Sequence, residues 1–181
     1  FGESHGVAIG GIIDGIKPGT KLDFEKIDQM MKKRNHRAVY STQRAEADKY
    51  EILSGVVDGI TTGAPLAFEI RNADTKSGHY SELASVMRPS HADYGAYVKF
   101  KGFADHRGGG HFSGRITAPL TFAGAIFKNE LEKKGIFIYP HILSIGNIRD
   151  KSFLEDDGAS IGELGFFPVT SEKIKDEMLS Y

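Results

Sequence analysis

VAIGGIIDGI at residues 7–16 and EILSGVVDGIT at residues 51–61 decide how this chain is expected to fold. Each runs branched apolar residues straight into an Asp-Gly pair, the pattern of a strand that ends in a turn tolerating positive φ. Their ends echo one another. Gly11-Ile12-Ile13-Asp14-Gly15-Ile16 followed by Gly19 matches Gly55-Val56-Val57-Asp58-Gly59-Ile60 followed by Gly63. Two explanations stay open: a duplicated strand-turn unit, or the same turn chemistry used twice.

Working outward, PLAFEIR at 65–71 predicts a further strand, and IFIYPHILSIG at 136–146 another, with Pro140 at a bend or an edge. Between the first two strands, Asp23 to Arg34 predicts an amphipathic helix. Phe24, Ile27, Met30 and Met31 recur at helical spacing, and Lys32, Lys33 and Arg34 sit in the last turn, where the helix dipole favours cations. The Met pair reads as core filling. A second helix is expected from Pro119, a residue suited to a first helical position, through Phe122, Ala123, Ile126, Phe127, Glu130 and Leu131 to Lys133, Lys134 and a Gly135 cap. Ile174, Met178 and Tyr181 share one helical face, and residues 152–165 are the best loop candidate. Strands and helices mix without strict alternation. The pattern favours an α+β fold, a layered β-α-β arrangement, over a doubly wound parallel sheet.

With 181 residues, 40% of them hydrophobic and 26% charged, the chain fits one compact domain. A net charge of −1 recommends neither nucleic acid nor a membrane surface as partner, so any anion grip must come from local placement of Arg, Lys and His. There is no cysteine, which excludes disulfides and thiolate chemistry, and a cytoplasmic location is the default. No apolar run approaches the roughly 18 to 20 residues that span a bilayer. The chain opens directly on Phe1-Gly2-Glu3-Ser4-His5-Gly6 and stops within a helical pattern, so it reads as a piece cut at both ends.

Four clusters carry chemistry. Gly2-Glu3-Ser4-His5-Gly6 packs a carboxylate, a hydroxyl and an imidazole between glycines, either as a polar turn or as a proton-transfer site. Arg88-Pro89-Ser90-His91-Ala92-Asp93-Tyr94 sets a carboxylate two residues beyond His91, where it can orient the ring or bind the same ligand. The strongest is Asp105-His106-Arg107-Gly108-Gly109-Gly110-His111-Phe112-Ser113-Gly114-Arg115. Three successive glycines predict an anion-binding concavity, Arg107 and Arg115 offer bidentate phosphate donors, and the loop feeds a helix N-terminus. It matches neither nucleotide-loop spacing. The fourth, Lys32, Lys33, Arg34, His36, Arg37 and Arg44, reads as a solvated face unless the ligand is a polyanion.

His91, Asp93, Asp105, His106 and His111 are formally able to ligate a metal, but no metal-ligand spacing supports it and the neighbouring arginines repel a cation. A nucleic-acid module lacks both charge and stacking motifs. The residues alone therefore indicate a site for a small anionic molecule with histidines as proton donors.

Phe1-Gly2-Glu3-Ser4-His5-Gly6, Asp14-Gly15, Thr42-Gln43-Arg44, Ile52-Leu53-Ser54-Gly55, Thr61-Thr62-Gly63, Arg88 to Tyr94 and Gly108-Gly109-Gly110 occur in the order found in chorismate synthases, and over nearly its whole length the chain resembles the N-terminal half of that family. The resemblance implies a carbon–oxygen lyase of aromatic amino-acid biosynthesis. It converts 5-enolpyruvylshikimate 3-phosphate to chorismate and phosphate by trans-1,4-elimination, with reduced FMN as cofactor and NADPH as a candidate reductant. It further implies a homotetramer, with residues 1–181 as the N-terminal portion of a single catalytic domain. By the same resemblance His5 protonates the departing phosphate and His91 stabilises the reduced flavin. Ser4, Arg34, Arg44 and Arg115 match substrate positions, and His111, Phe112 and Ser113 match flavin positions. The chain departs from the family at His111 to Thr117, where HFSGRIT stands for the common RSSARET, so one flavin-side Arg is lost and the next is kept. The loop after Arg34 is about one residue short, and Val39 falls where a second basic residue is usual, with Arg37 the candidate substitute. The alternative is a truncated anion-binding domain without turnover.

Overall fold

The computed structural model describes residues 1–34, 47–73, 86–155, 158 and 165–181. Within these, the chain forms two compact units, a larger one from the residues up to Asn129 and a smaller one from Glu130 to Tyr181. Composition predicted one compact domain. The difference arises because the contiguous apolar cluster, from Ile9 to Ile126, excludes everything beyond the second long helix.

The larger unit is a three-stranded antiparallel sheet with helices packed on one face. Strand β1 (Ala8–Ile13) and strand β2 (Tyr50–Ile52) flank the central strand β5 (Leu66–Arg71), in the order β1-β5-β2. Along β5 the alternation is strict: Leu66, Phe68 and Ile70 are buried, because successive side chains of a strand point to opposite faces. Register places Ile9 and Tyr50 on either side of Ile70, and Gly11 and Ile52 on either side of Phe68. Helix α1 (Phe24–Arg34) contributes buried Ile27 and Met31, while Asp23 accepts the Lys26 amide at 3.1 Å and caps its start. Helix α3 (Thr117–Glu132) contributes Ala118, Phe122, Ala125 and Ile126. Phe122 is the keystone, its ring centroid 4.2 Å from that of Phe68 and 4.5 Å from that of Tyr50. The α+β class and the helix-on-sheet layering are as the sequence pattern predicted.

Three expectations change. The predicted strand 51–61 breaks after β2, and its second part folds on itself as the hairpin β3 (Val56–Val57) and β4 (Ile60–Thr61). Asp58 and Gly59 are the two central turn residues at φ 49° and 76°, the positive pair a tight hairpin requires. Asp14-Gly15 instead follows a six-residue ladder strand and closes no such hairpin, so the two Asp-Gly units share turn chemistry and play different structural parts. Helix α3 starts two residues before Pro119, which sits within the first turn, where its missing N–H has no intrahelical partner to lose. Lastly, helix α2 (Asp93–Lys99) begins inside the Arg88–Tyr94 motif and runs past it, where no helix was expected; Gly95, its third residue, lowers helical propensity.

In the smaller unit, the expected strand 136–146 is reduced to β6 (Ser144–Ile145), paired with β7 (Ile148–Arg149). Residues 136–139 are apolar but 41–58% exposed, and Pro140 removes a ladder donor; apolar character without a pairing strand did not suffice. Helix α4 (Glu172–Ser180) is capped by Ser171 Oγ, which accepts the Ile174 amide at 3.2 Å, and it buries Met178 while Tyr181 stays exposed. Asp150 organises this unit. Its buried carboxylate accepts the Thr170 amide at 2.6 Å, the Thr170 hydroxyl at 2.5 Å and His141 Nε2 at 2.9 Å. Burial pushes the carboxyl pKa up, and these hydrogen bonds outweigh it, so the net displacement is downward. The expected loop at 152–165 lies largely outside the described residues. Among the described residues no helix is long and apolar enough to cross a membrane.

Phe122→Ala should leave the helix-on-sheet contact with an unfilled cavity and destabilise the fold by about 3–5 kcal/mol. Urea unfolding followed by circular dichroism measures the loss, and a change below about 1 kcal/mol would show that Phe122 does not hold the layers together.

Candidate active site

The turn ahead of β1 carries Ser4 and His5, and both are buried. Four hydrogen bonds fix it. The Ser4 amide donates to the Gly110 carbonyl at 3.0 Å, the Gly6 amide donates to the Glu3 carbonyl at 3.1 Å, and the Asn72 carboxamide donates to the carbonyls of Glu3 and Gly6 at 3.1 and 2.8 Å. The glycine loop lies directly over this turn. It is a tight turn from Arg107 to Phe112 in which Gly108, Gly109 and Gly110 have φ of 58°, 82° and 53°. A Cβ on Gly108 would lie 2.3 Å from His5 Cε1, 2.4 Å from His5 Nδ1 and 2.9 Å from Ser4 Oγ. Only a hydrogen fits there, and the Nδ1–Cε1 edge of the imidazole is pressed against the loop backbone.

Charged groups around the loop are paired. Arg107 grips Asp105 with Nε and an NH2 nitrogen at 2.9 and 2.8 Å, and these hydrogen bonds hold the Asp105 carboxyl below its ordinary value. Arg88 forks onto Asp93 in the same way at 2.8 and 2.9 Å, and the Arg88 amide adds a third bond at 3.0 Å. The Asp93 pKa is drawn down to about 2, the side-chain hydrogen bonds from Arg88 being the largest cause. Arg115 is almost fully buried. It is ion-paired with Asp48, donates Nε to Asn72 Oδ1 at 2.8 Å and donates to the Arg71 carbonyl at 3.3 Å. Arg34, at the end of α1, meets the other oxygen of Asp48 at 2.5 Å and the Gly114 carbonyl at 3.2 Å. One carboxylate thus sits between two guanidiniums, so these three side chains carry one positive charge in excess.

Two cavities open beside the loop. One, of about 250 Å³, is lined by Arg88, His91, Asp93, Tyr97, His106 and Phe112 among others. The other, of about 520 Å³, includes Glu3, Phe100, Phe103, Asp105, His111 and Phe112. His91 is exposed and donates Nδ1–H to the Pro89 carbonyl at 3.1 Å, which leaves Nε2 to take or give a proton. His111 donates in the same way to the Gly2 carbonyl at 2.9 Å, stitching the loop to the N-terminal turn. Ser113 Oγ accepts the Arg115 amide at 3.3 Å, the capping role at the entry to α3.

A family model described as chorismate synthase matches residues 1–179. The chain belongs to the chorismate synthase family. The chorismate synthase of Aeropyrum pernix is 47% identical over 148 residues, covering 82% of this chain and 39% of that protein. That of Paraburkholderia xenovorans is 44% identical across all of this chain and covers 49% of that protein. A crystal structure of a chorismate synthase superposes with a TM-score of 0.71 at 27% identity, covering 100% of this chain and 50% of that one. The chain thus spans about half the length of the relatives it matches.

Of the residues singled out in the sequence, the fold brings Ser4, His5, His111 and Phe112 together at the glycine loop. His91 lines the adjoining cavity, and Arg34 and Arg115 meet at Asp48. Arg44, with His36 and Arg37, lies outside the described residues. The phosphate-donor reading of Arg107 and Arg115 changes most, since both guanidiniums are engaged by carboxylates. Asp48, Asn72, Phe100 and Phe103 were not singled out in the sequence. Asp48 and Asn72 lie 67 and 43 residues from Arg115, so no local spacing marks them.

Because Asp93 titrates lower in the folded chain than its ordinary value, the pair stabilises the fold fully above pH about 4, and that stability is lost as pH falls through about 2. Arg88→Met should return the Asp93 pKa most of the way to its ordinary value near 3.8. Carboxyl-carbon NMR titration reads this directly, and a pKa still near 2 would mean that another cation holds the carboxylate.

Proposed function

We propose that residues 1–181 are the N-terminal portion of a chorismate synthase catalytic domain. The protein would eliminate phosphate from 5-enolpyruvylshikimate 3-phosphate in the trans-1,4 sense, using reduced FMN, to give chorismate and phosphate. The observation that carries this reading is the contact between His5 and Gly108: a buried imidazole edge is pressed onto a glycine loop of positive φ, on a turn that Asn72 joins to the Arg34–Asp48–Arg115 cluster. In that setting a protonated imidazole can give its proton to a phosphate oxygen as the carbon–oxygen bond breaks, so the leaving group departs with less charge. The substrate carries a phosphate and two carboxylates, which gives the excess cation at Arg34, Asp48 and Arg115 a partner. Ser4 supplies a hydroxyl at the same turn. Arg115, buried and triply engaged, would act on substrate mainly by holding Arg34 and the turn in place, and Arg44 would complete the anion grip.

The residues present fit a flat aromatic cofactor. Phe100, Phe103 and Phe112 wall the larger cavity, with His111 beside them, so His111 and Phe112 would hold the flavin ring while the Ser113 hydroxyl is committed to the helix entry. The chemistry that reduced FMN would supply there is a transient electron, with no net redox change. His91, whose Nδ1–H is held by Pro89, would stabilise the reduced form by donating from Nε2 when protonated. NADPH is the candidate reductant, and a cytoplasmic homotetramer is the proposed state of the whole protein.

Anaerobic phosphate release from 5-enolpyruvylshikimate 3-phosphate with reduced FMN tests the reading. His5→Ala and His91→Ala in the full-length protein should each slow turnover by about 10²- to 10⁴-fold, the range for removing a positioned proton donor. Unchanged turnover in both variants would refute the assigned roles.

A further inference from the structure

Asn72 follows the last residue of β5, and its backbone amide donates to the Val7 carbonyl at 3.1 Å, which extends the β1–β5 ladder by one bond. Its backbone is therefore held before its side chain does anything. The carboxamide then makes three hydrogen bonds. Nδ2 donates to the Glu3 carbonyl at 3.1 Å and to the Gly6 carbonyl at 2.8 Å, one on each side of Ser4-His5, and Oδ1 accepts from Arg115 Nε at 2.8 Å. Both donors and the acceptor are used.

The orientation of that amide is forced. Flipped by 180°, it would set its NH2 against the Arg115 N–H and its oxygen against two carbonyl oxygens, so every bond would become a repulsion. Arg115 is fixed in turn by buried Asp48, by the Arg71 carbonyl and by its own place in the turn before α3. A line of determined contacts thus runs from the Asp48–Arg115 ion pair through one carboxamide to the turn that carries His5. The far side of that turn is closed by Gly108. The imidazole is gripped from both sides, by the glycine backbone above and by the Asn72 brace at the ends of its turn.

We propose that Asn72 is a positioning residue for His5: its carboxamide, oriented by the Asp48–Arg115 pair, spans the Glu3 and Gly6 carbonyls and sets where the imidazole meets the substrate. This rests on the proton-donor role proposed for His5. Asn72 acts through the turn and transfers no proton. A shift of the turn by about 1 Å costs on the order of 10²-fold in rate when a donor must reach one particular oxygen.

Asn72→Asp discriminates best, because it preserves shape and still accepts from Arg115 while turning both donors into acceptors that repel the Glu3 and Gly6 carbonyls. In the full-length protein, kcat for anaerobic phosphate release should fall about 10²-fold with KM changed less than about threefold, while the variant still unfolds cooperatively, at a lower temperature because two buried hydrogen bonds are lost. The double variant with His5→Ala should be no slower than His5→Ala alone, since a misplaced donor and an absent one are equivalent. The imidazole proton and nitrogen NMR resonances of His5 should shift in Asn72→Asp, a readout that needs no turnover. Should Asn72→Asp fail to fold, Asn72→Ser, which keeps a single short donor, takes its place in the same comparison. If the losses from Asn72→Asp and His5→Ala multiply, or if His5 resonances are unmoved, the positioning role is overturned while the catalytic reading of His5 stands. Normal turnover in His5→Ala itself overturns that reading, and the role of Asn72 with it.

Discussion

Asp48 and Arg115 are opposite charges shut away from water, with side-chain exposures of 0% and 2%. Taking either alone into the interior would be strongly unfavourable, and together they are tolerable only because their remaining hydrogen-bonding positions are filled. Those fillings are what the site is made of. The second oxygen of Asp48 takes Arg34 from the end of α1, and two further donors of Arg115 go to the Arg71 carbonyl and to Asn72 just past the end of the central strand. A helix terminus, a strand terminus and the entry to α3 are thereby fixed to one point. The turn carrying Ser4 and His5 hangs from that point through Asn72, and the glycine loop closes over it.

The sheet makes this convergence possible. Antiparallel pairing of β1 with β5 brings the start of one strand to the end of the other, so residues 4–6 and residue 72 become neighbours although some 66 positions separate them. Phe122 and Phe68 hold α3 on the sheet, and α3 is entered directly from the glycine loop. Core packing and site geometry are therefore one construction: moving the helix start would move the loop that covers His5. Carboxylates temper the cations throughout. Asp105, Asp93 and Asp48 each orient an arginine, so the positions of these guanidiniums are set by carboxylates within the fold.

Much of this was legible in the residues. The α+β class, β1, β5, α1 and most of α3 follow from periodicity, because a buried face imposes period 2 or 3.6 on the chain that makes it. The three glycines marked an anion-binding concavity in the sequence; the structure shows a tight loop of positive φ there, which glycine adopts at little cost. The two misread strands share one cause. Residues 51–61 and 136–146 have the apolar character of strands, but a strand also needs a neighbour at the right register, and apolar character does not say whether one exists. Helix α2 was hidden by Gly95, whose local penalty its surroundings overcome.

By itself, the sequence determined which groups were available: two histidines beside glycine-rich or proline-stiffened turns, arginines in clusters, no thiol, and a family resemblance the comparisons uphold. Tertiary structure alone decided the pairing. That Arg107 spends itself on Asp105, that Arg115 is buried against Asp48, and that Asn72 braces the His5 turn cannot be read from spacing, since ion pairs and hydrogen bonds select partners by distance in space and burial sets their strength. The paired strands bring residues 4, 48, 72 and 115 together, and only at that point does a list of polar residues become an oriented site.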